Sequence, residues 1–314
     1  MGEFELISQF FRGIGPDSPD VQTSIGDDCA VVTPPAGMQL CCSLDTQVEG
    51  RHFPKGYDPD KVAWRALGAA LSDLAAMGAT PSHFTLSLAM PQADEGWLSG
   101  FSTGLKACAE RFQVALIGGD VTRGPLNIAI QVHGWVPQGC AVHRSGATSG
   151  DRVWVSGCLG DARAALELLD RSSLNASQTA LLERYDCPEP RLDLSADIRK
   201  HSTACLDISD GLVADARHLA EASGVCLKID ARLVPLSSQI KAEFPSEALW
   251  FALTGGDDYE LVFTAPDNAS SILKELGCHP IGTVVSSAKQ GASVIIEHAP
   301  QELSAEQGGF QHFY

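Results

Sequence analysis

Between residues 62 and 78 the apolar positions Val62, Leu67, Ala70, Leu71, Leu74 and Met77 recur at helical spacing. Ala63, Ala66, Ala69, Ala75 and Ala76 keep the other faces small and weakly polar, so the pattern predicts a helix buried nearly all round, with a single carboxylate, Asp73, inside it. An unpaired charge there costs roughly several kcal/mol unless a cation or a set of donors meets it. Taken alone, Asp73 reads as a buried carboxylate bonded to backbone or to Ser72.

The same patterning predicts a short amphipathic helix over residues 4–11, a polar Gly- and Pro-rich loop over 13–20, and an acidic turn at 25–28 that leads into a strand reaching Val32. Strands follow over 40–44 and 83–90, a helix over 94–111, a buried strand over 114–117 that stops at Gly118, and an alternating strand over 126–136. Residues 144–151 are small and polar, and a new buried strand over 153–156 follows them. Beyond it the spacing predicts a glycine turn at 157–160 entering a helix, helices over 178–184 and 195–201, a strand over 204–208 and a helix to 222. A strand over 225–229, a helix over 247–253, a strand over 259–264, a helix over 269–276 and a strand over 281–285 complete the chain. Strands and helices interleave in both halves, which predicts an α/β fold of the α+β type, with domains at 1–143 and 144–314.

Charge narrows the function. Among 314 residues, 22 Lys and Arg stand against 39 Asp and Glu, a net charge of -17. Such a field repels nucleic acid and anionic membrane, and any phosphorylated ligand must be met by positive charge from elsewhere, most simply a divalent metal. No basic-then-apolar leader and no membrane-length apolar run is seen, and the ten cysteines form no CxxC pair, a usage that fits a reducing cytoplasm.

Five acidic clusters share one context: Asp27 with Asp28, Asp45, Asp73, Asp120, and Asp207 with Asp210. Asp45, Asp120 and Asp207 fall at or near predicted strand ends, and Gly26, Gly119 and Gly211 let backbone approach closely. Each aspartate alone fits a turn or a helix N-cap, Asp210 included. Together, carboxylates gathered at one rim repel one another unless cations lie between them. The scattered histidines lack zinc spacing, no EF-hand order exists, and no GxxxxGK[ST] loop is present. Phosphates would then be met by metal, by the Gly118–Gly119 backbone, by the 157–160 turn and by Arg144.

Six segments, Ile25-Gly26-Asp27-Asp28-Cys29-Ala30, Leu71-Ser72-Asp73-Leu74-Ala75-Ala76-Met77-Gly78, Gly118-Gly119-Asp120-Val121-Thr122, Arg144-Ser145-Gly146-Ala147, Asp207-Ile208-Ser209-Asp210-Gly211-Leu212 and Gly256-Asp257-Asp258-Tyr259-Glu260-Leu261, together closely resemble the thiamine-monophosphate kinase family. They stand in that family's order and run nearly the whole chain, to the Gly309-Phe310-Gln311-His312-Phe313 tail. The resemblance implies the two-domain aminoimidazole ribonucleotide synthetase-like fold, with an N-terminal domain that pairs into a homodimer and a C-terminal domain covering the nucleotide. It implies transfer of the γ-phosphoryl of ATP to thiamine monophosphate, giving thiamine diphosphate. Asp28, Ser43, Leu44 (through its carbonyl), Asp45, Asp73, Asp120, Asp207 and Asp210 would hold several Mg²⁺ ions, with a role for K⁺ left open. Gly119, Asp120, Arg144 and Ser209 would contact ATP, with Asp210 and Arg144 catalytic; His52, Asp257 and Phe310 would take the thiamine phosphate. Asp257 stands where the family commonly has Glu, and Gln307 where relatives often carry an aromatic, which leaves Phe310 or Tyr314 to stack on the ring. Cys29, followed by an apolar strand, reads as buried, unlike the reactive cysteine of a selenophosphate synthetase. The competing readings are another ATP-dependent member of the same superfamily, or a metal-binding module without turnover.

Overall fold

The computed structural model describes residues 2–286 and 292–299, so Phe310, Tyr314 and the rest of the tail lie outside the described residues. The chain forms two compact units, one of Met1–Leu74 with Ala79–Ala141, the other of Ala75–Gly78 with the residues from Val142 onward.

The N-terminal unit runs α1 (Glu3–Phe10), β1 (Val21–Thr23), β2 (Val31–Val32), β3 (Met38–Val48), α2 (Pro59–Ala76), β4 (Thr80–Met90), α3 (Glu95–Phe112), β5 (Ala115–Arg123) and β6 (Asn127–Pro137). Four strands make a sheet in the order β3-β6-β4-β5, antiparallel except for the β4–β5 pair. Helix α2 is the buried helix expected: Val62, Ala66, Leu67, Ala70, Leu71 and Leu74 are almost wholly excluded from solvent. Pro59 opens it at a position where a missing N–H costs nothing. Helix α3 lies against it so closely that a Cβ on Gly104 would sit 2.0 Å from the Asp60 carbonyl oxygen.

Two strands run further than their apolar content predicts. β3 continues through Asp45 to Val48 because β6 pairs it along its whole length, Asp45 opposite Ile130. β5 does not stop at Gly118 but continues through Asp120 to Arg123, laddered on β4 with Thr85 opposite Gly118 and Ser87 opposite Asp120. Asp45 and Asp120 therefore sit within strands, not at strand ends, since pairing holds a polar segment extended as firmly as an apolar one. Gly119 is required there: a Cβ would fall 1.9 Å from the Leu86 carbonyl oxygen. Cys29, expected to be buried, is exposed, because the strand that follows it is only Val31–Val32.

The C-terminal unit contains β7 (Arg152–Val155), α4 (Asp161–Leu166), α5 (Ala176–Asp186), α6 (Ser195–His201), β8 (Ala204–Asp207), α7 (Leu212–Ser223), β9 (Val225–Asp230), α8 (Ser238–Glu243), α9 (Ala248–Thr254), β10 (Leu261–Ala265), α10 (Ser270–Glu275), β11 (His279–Ser286) and β12 (Ser293–Glu297). Its sheet has the order β12-β9-β11-β7-β10-β8, with only the β12–β9 pair parallel. Strand alternation sorts two cores onto its two faces. Val153, Val155, Leu206 and Val262 pack with Leu212, Val213 and Ala216 of α7, while Trp154, Cys205, Leu261 and Phe263 pack with Ile198 of α6 and Leu273 of α10. Helix α8 and strand β12 are elements that the sequence pattern did not announce.

Candidate active site

In the N-terminal unit, Ser43 and Asp45 lie two residues apart on β3 and so share a face, and the Ser43 hydroxyl donates to Asp73 Oδ2 of α2 in a short bond. Asp73 is half-buried on an otherwise buried stretch of helix. Burial, with the neighbouring Asp73 charge adding to it, pushes the Asp45 carboxyl up to about 6. Two carboxylates repelling each other beside one hydroxyl is a donor set that fits a hard divalent cation, all of it oxygen. Leu44 turns its side chain outward, 61% exposed.

The other acids of this unit are elsewhere. Asp45 and Gly119 share a cross-strand row, through Ile130 and Leu86, from one edge strand of the sheet to the other. Three strand spacings separate those edges, about 14 Å. Asp120, one position on, belongs to the next row with Ser87 and Ala129, which projects from the opposite face. Asp28 is exposed, its N–H donating to Asp27 Oδ1 at 2.8 Å. Among the described residues no group of three or more His, Cys, Asp or Glu side chains is gathered closely enough to hold a metal by itself. His52 lies in the turn after β3, where its Nδ1 accepts the Val48 N–H at 3.0 Å. That bond puts the ring proton of the neutral imidazole on Nε2.

In the C-terminal unit, buried Asp207 ends β8 opposite Leu261, and Ile208, Ser209, Asp210 and Gly211 turn the chain into α7. Three consecutive N–H groups of that turn, from Ser209, Asp210 and Gly211, converge on Asp215 Oδ2 at 3.0, 3.0 and 3.1 Å. The turn before β10 packs against it. Asp257 and Tyr259 adopt left-handed backbone, φ 67° and 51°, and their N–H groups donate to Ser209 O and Ile208 O at 3.0 and 2.9 Å. Asp258 points inward and accepts the Gly160 N–H at 2.8 Å, and its burial raises its carboxyl well above the usual range. Glu260 accepts from Arg184 at 3.0 Å, Arg191 at 2.9 Å and Ser156 Oγ at 2.5 Å.

Arg144 lies on a segment whose His143 carbonyl accepts the Cys205 N–H at 3.0 Å and whose Arg144 carbonyl accepts from Ser223 Oγ at 3.2 Å. These backbone bonds fix the segment while the Arg144 side chain stays exposed. Asp215 lies outside the motifs, and Asp258, Tyr259 and Glu260 stand within the last of them with no role assigned. One signal was available: an acid in the first turn of α7, four residues after a glycine that has no side chain with which to cap the helix.

Both units match known domains. Residues 26–136 fit the AIR synthase related protein N-terminal domain, and residues 148–295 fit the C-terminal domain of the same proteins. The class is thus an AIR synthase related two-domain protein. Within it, thiamine-monophosphate kinase of Salmonella typhimurium is 42% identical over 270 residues, covering 85% of this chain and 83% of the relative. The crystal structure of thiamine-monophosphate kinase from Stenotrophomonas maltophilia K279a superposes with a TM-score of 0.84 at 39% identity, covering 89% of this chain and 92% of that one. AaThiL complexed with AMPPCP and TMP superposes with a TM-score of 0.81 at 33% identity, covering 90% of this chain and 89% of that one. The chain belongs to the thiamine-monophosphate kinase family.

Proposed function

We infer that this chain transfers the γ-phosphoryl group of ATP to the phosphate of thiamine monophosphate, forming thiamine diphosphate and ADP. The observation that carries the reading is the likeness, over 90% of the chain, to a protein solved with AMPPCP and TMP together. An acceptor that is already a phosphate is anionic at neutral pH and asks for no strong general base. Its obstacle is repulsion by ATP, and a chain of net charge -17 adds to that repulsion. Ser43, Asp45 and Asp73, with the Leu44 carbonyl, would hold Mg²⁺; Asp28, Asp120, Asp207 and Asp210 join the proposed ligand set through the family's motifs. A Mg²⁺ ion held there would supply the positive charge that offsets repulsion between the phosphates.

The chain's own groups align the partners. Gly119, Asp120 and Ser209 are proposed as ATP contacts through the family's motifs, and the exposed Arg144 guanidinium offers a bidentate partner for phosphate. Asp210 and Arg144 are the proposed catalytic pair. His52, through its Nε2–H, and Asp257 would position the thiamine phosphate, with Phe310 against the ring. The loose transition state of phosphoryl transfer rewards such placement more than covalent chemistry, so transfer is direct and in line. Residues 1–143 and 144–314 are the proposed functional domains. The exposed apolar residues Met38, Leu40 and Leu44 of β3, with Val31, supply a face for the proposed homodimer. Ten free cysteines and the absence, among the described residues, of a helix long and apolar enough to cross a membrane support a cytoplasmic setting.

An ADP-release assay with thiamine monophosphate, thiamine and aminoimidazole precursors as competing acceptors tests the reading, run with and without Mg²⁺ and K⁺. Turnover with thiamine monophosphate and Mg²⁺ is expected. ADP release with a non-thiamine acceptor alone, or stoichiometric phosphoprotein after incubation with ATP, overturns it.

A further inference from the structure

Asp215 has no place in the ligand sets above, yet it is buried in the first turn of α7 and takes the N–H groups of Ser209, Asp210 and Gly211 on one oxygen. Gly211 is the N-cap of α7, so only its N–H belongs to the helix end, while the Ser209 and Asp210 N–H groups belong to the turn before it. Asp215 reaches back from inside the helix to meet all three, as a first-turn acid does in a capping box. Bonds to a carboxylate are stronger than those to a neutral cap, and three of them fix the turn's backbone.

That backbone is in turn the mould for the acceptor-side turn. A Cβ on Gly211 would lie 2.8 Å from Thr254 O, and one on Gly256 would lie 2.3 Å from Ser209 O. The two turns therefore touch main chain to main chain. Ser209 O and Ile208 O take the Asp257 and Tyr259 N–H groups, and the Ile208 N–H donates to Glu260 O at 2.7 Å. Left-handed backbone at two non-glycine residues is strained and persists only where its surroundings impose it. The imposed conformation brings the Tyr259 hydroxyl to Asp257 Oδ1 at 3.1 Å, which orients that carboxylate.

We propose that Asp215 is a positioning residue for both substrates at once: by fixing the turn from Ser209 to Gly211 it sets Ser209 and Asp210 and, through the Ile208 and Ser209 carbonyls, the Asp257 carboxylate. This rests on the reading of Ser209 and Asp210 as nucleotide-side residues and Asp257 as an acceptor-side residue. Asn at position 215 keeps the accepting oxygen without the charge; Ala removes it.

The test compares the full-length wild type, D215N and D215A in two arms. In the first, residue-resolved amide exchange is expected to show the Asp257 and Tyr259 amides of D215A losing protection together with those of 209–211, while β7 and β10 keep theirs. In the second, kcat/KM is expected to fall about 100-fold in D215A whether ATP or thiamine monophosphate is varied, the scale of loss for an ångström of misplacement. D215N is expected to recover to within about tenfold of wild type, as loss of a charge-assisted bond implies. Unchanged protection at 257 and 259 while 209–211 open overturns the proposal, as does a loss confined to the ATP series. Should D215A not fold, D215N carries the same exchange comparison at smaller amplitude. A wild type that turns over no thiamine monophosphate removes the functional reading alone, and the exchange arm still decides whether Asp215 couples the two turns.

Discussion

In the N-terminal unit Asp73 accepts from the Ser43 hydroxyl, and its charge adds to burial in raising the Asp45 carboxyl. In the C-terminal unit Asp215 is met by three N–H groups and Glu260 by two arginines and a serine. Both regions hold acids away from water, but only the second surrounds them with donors of its own, even though burial still pushes the Asp215 carboxyl up to about 7. The first offers one hydroxyl and a second carboxylate, the second a full set of hydrogen-bond partners, which separates acids that function from acids that build the frame around function. Conservative amides at the two places are therefore expected to act in opposite ways.

The largest effect is expected from Asp45→Asn and Asp73→Asn. Each removes one charge from a crowded donor set, so Mg²⁺-dependent nucleotide binding should fail and turnover drop roughly 1,000-fold. The same change relieves repulsion, and calorimetry should find a melting temperature equal to or above that of wild type. A variant that melts earlier but keeps its kcat/KM would make this pair part of the frame and erase the contrast.

Glu260→Gln should do the reverse. The amide removes the charge that Arg184 and Arg191 share in a mostly buried setting, leaving Arg191 only its ion pair with Asp193, at a cost of about 3 kcal/mol. A lowered denaturant midpoint with the activity of the folded fraction retained is the expected result. An unshifted midpoint would show that the arginines find other partners and that this region is not internally compensated.

This contrast sets how far the sequence could be read. Helix α2 was legible because burial on every side leaves an unmistakable apolar and alanine pattern, and the α/β interleaving followed from period changes along the chain. The reach of β3 and β5 was not, because Asp45 and Asp120 are held in strands by pairing partners remote in sequence, and no local preference records a ladder. The motif acids could be picked out by type and spacing. What joins the turn at Ser209 to the turn at Asp257 is a set of main-chain bonds between segments some fifty residues apart, which leaves only glycines as a trace, Gly211 and Gly256. Asp258 and Glu260 looked like further acids of the same motif, and only burial and partners separate them from Asp257.

The smallest expected effect extends the comparison to pH. His83 and His133 stack in the N-terminal unit with ring centroids 4.7 Å apart, beside Ser82, Asp20 and Trp135. Burial, and secondly the His133 ring, lower His83 to about 4, against the opposing pull of Asp20; burial also lowers His133. An unfolded histidine titrates near 6.5, so between roughly pH 6.5 and 4 the unfolded chain binds protons that the folded one refuses. The histidines' contribution to stability is then full above roughly pH 6.5 and falls as the pH drops, by an amount on the order of 2 kcal/mol. Asp258 has the opposite sign: its folded carboxyl is raised, so its contribution is present in acid and lost as the pH rises through that raised value. Asp45 and Asp215, raised to about 6 and about 7, act in the same direction as Asp258. Relative to wild type, melting curves from pH 8 to 5 should therefore fall less toward acid in a His83→Gln, His133→Gln double variant, and more in Asp258→Asn, which lacks one of the opposing groups. If the double variant keeps the full acid slope, the histidine stack is not what makes the N-terminal unit acid-sensitive.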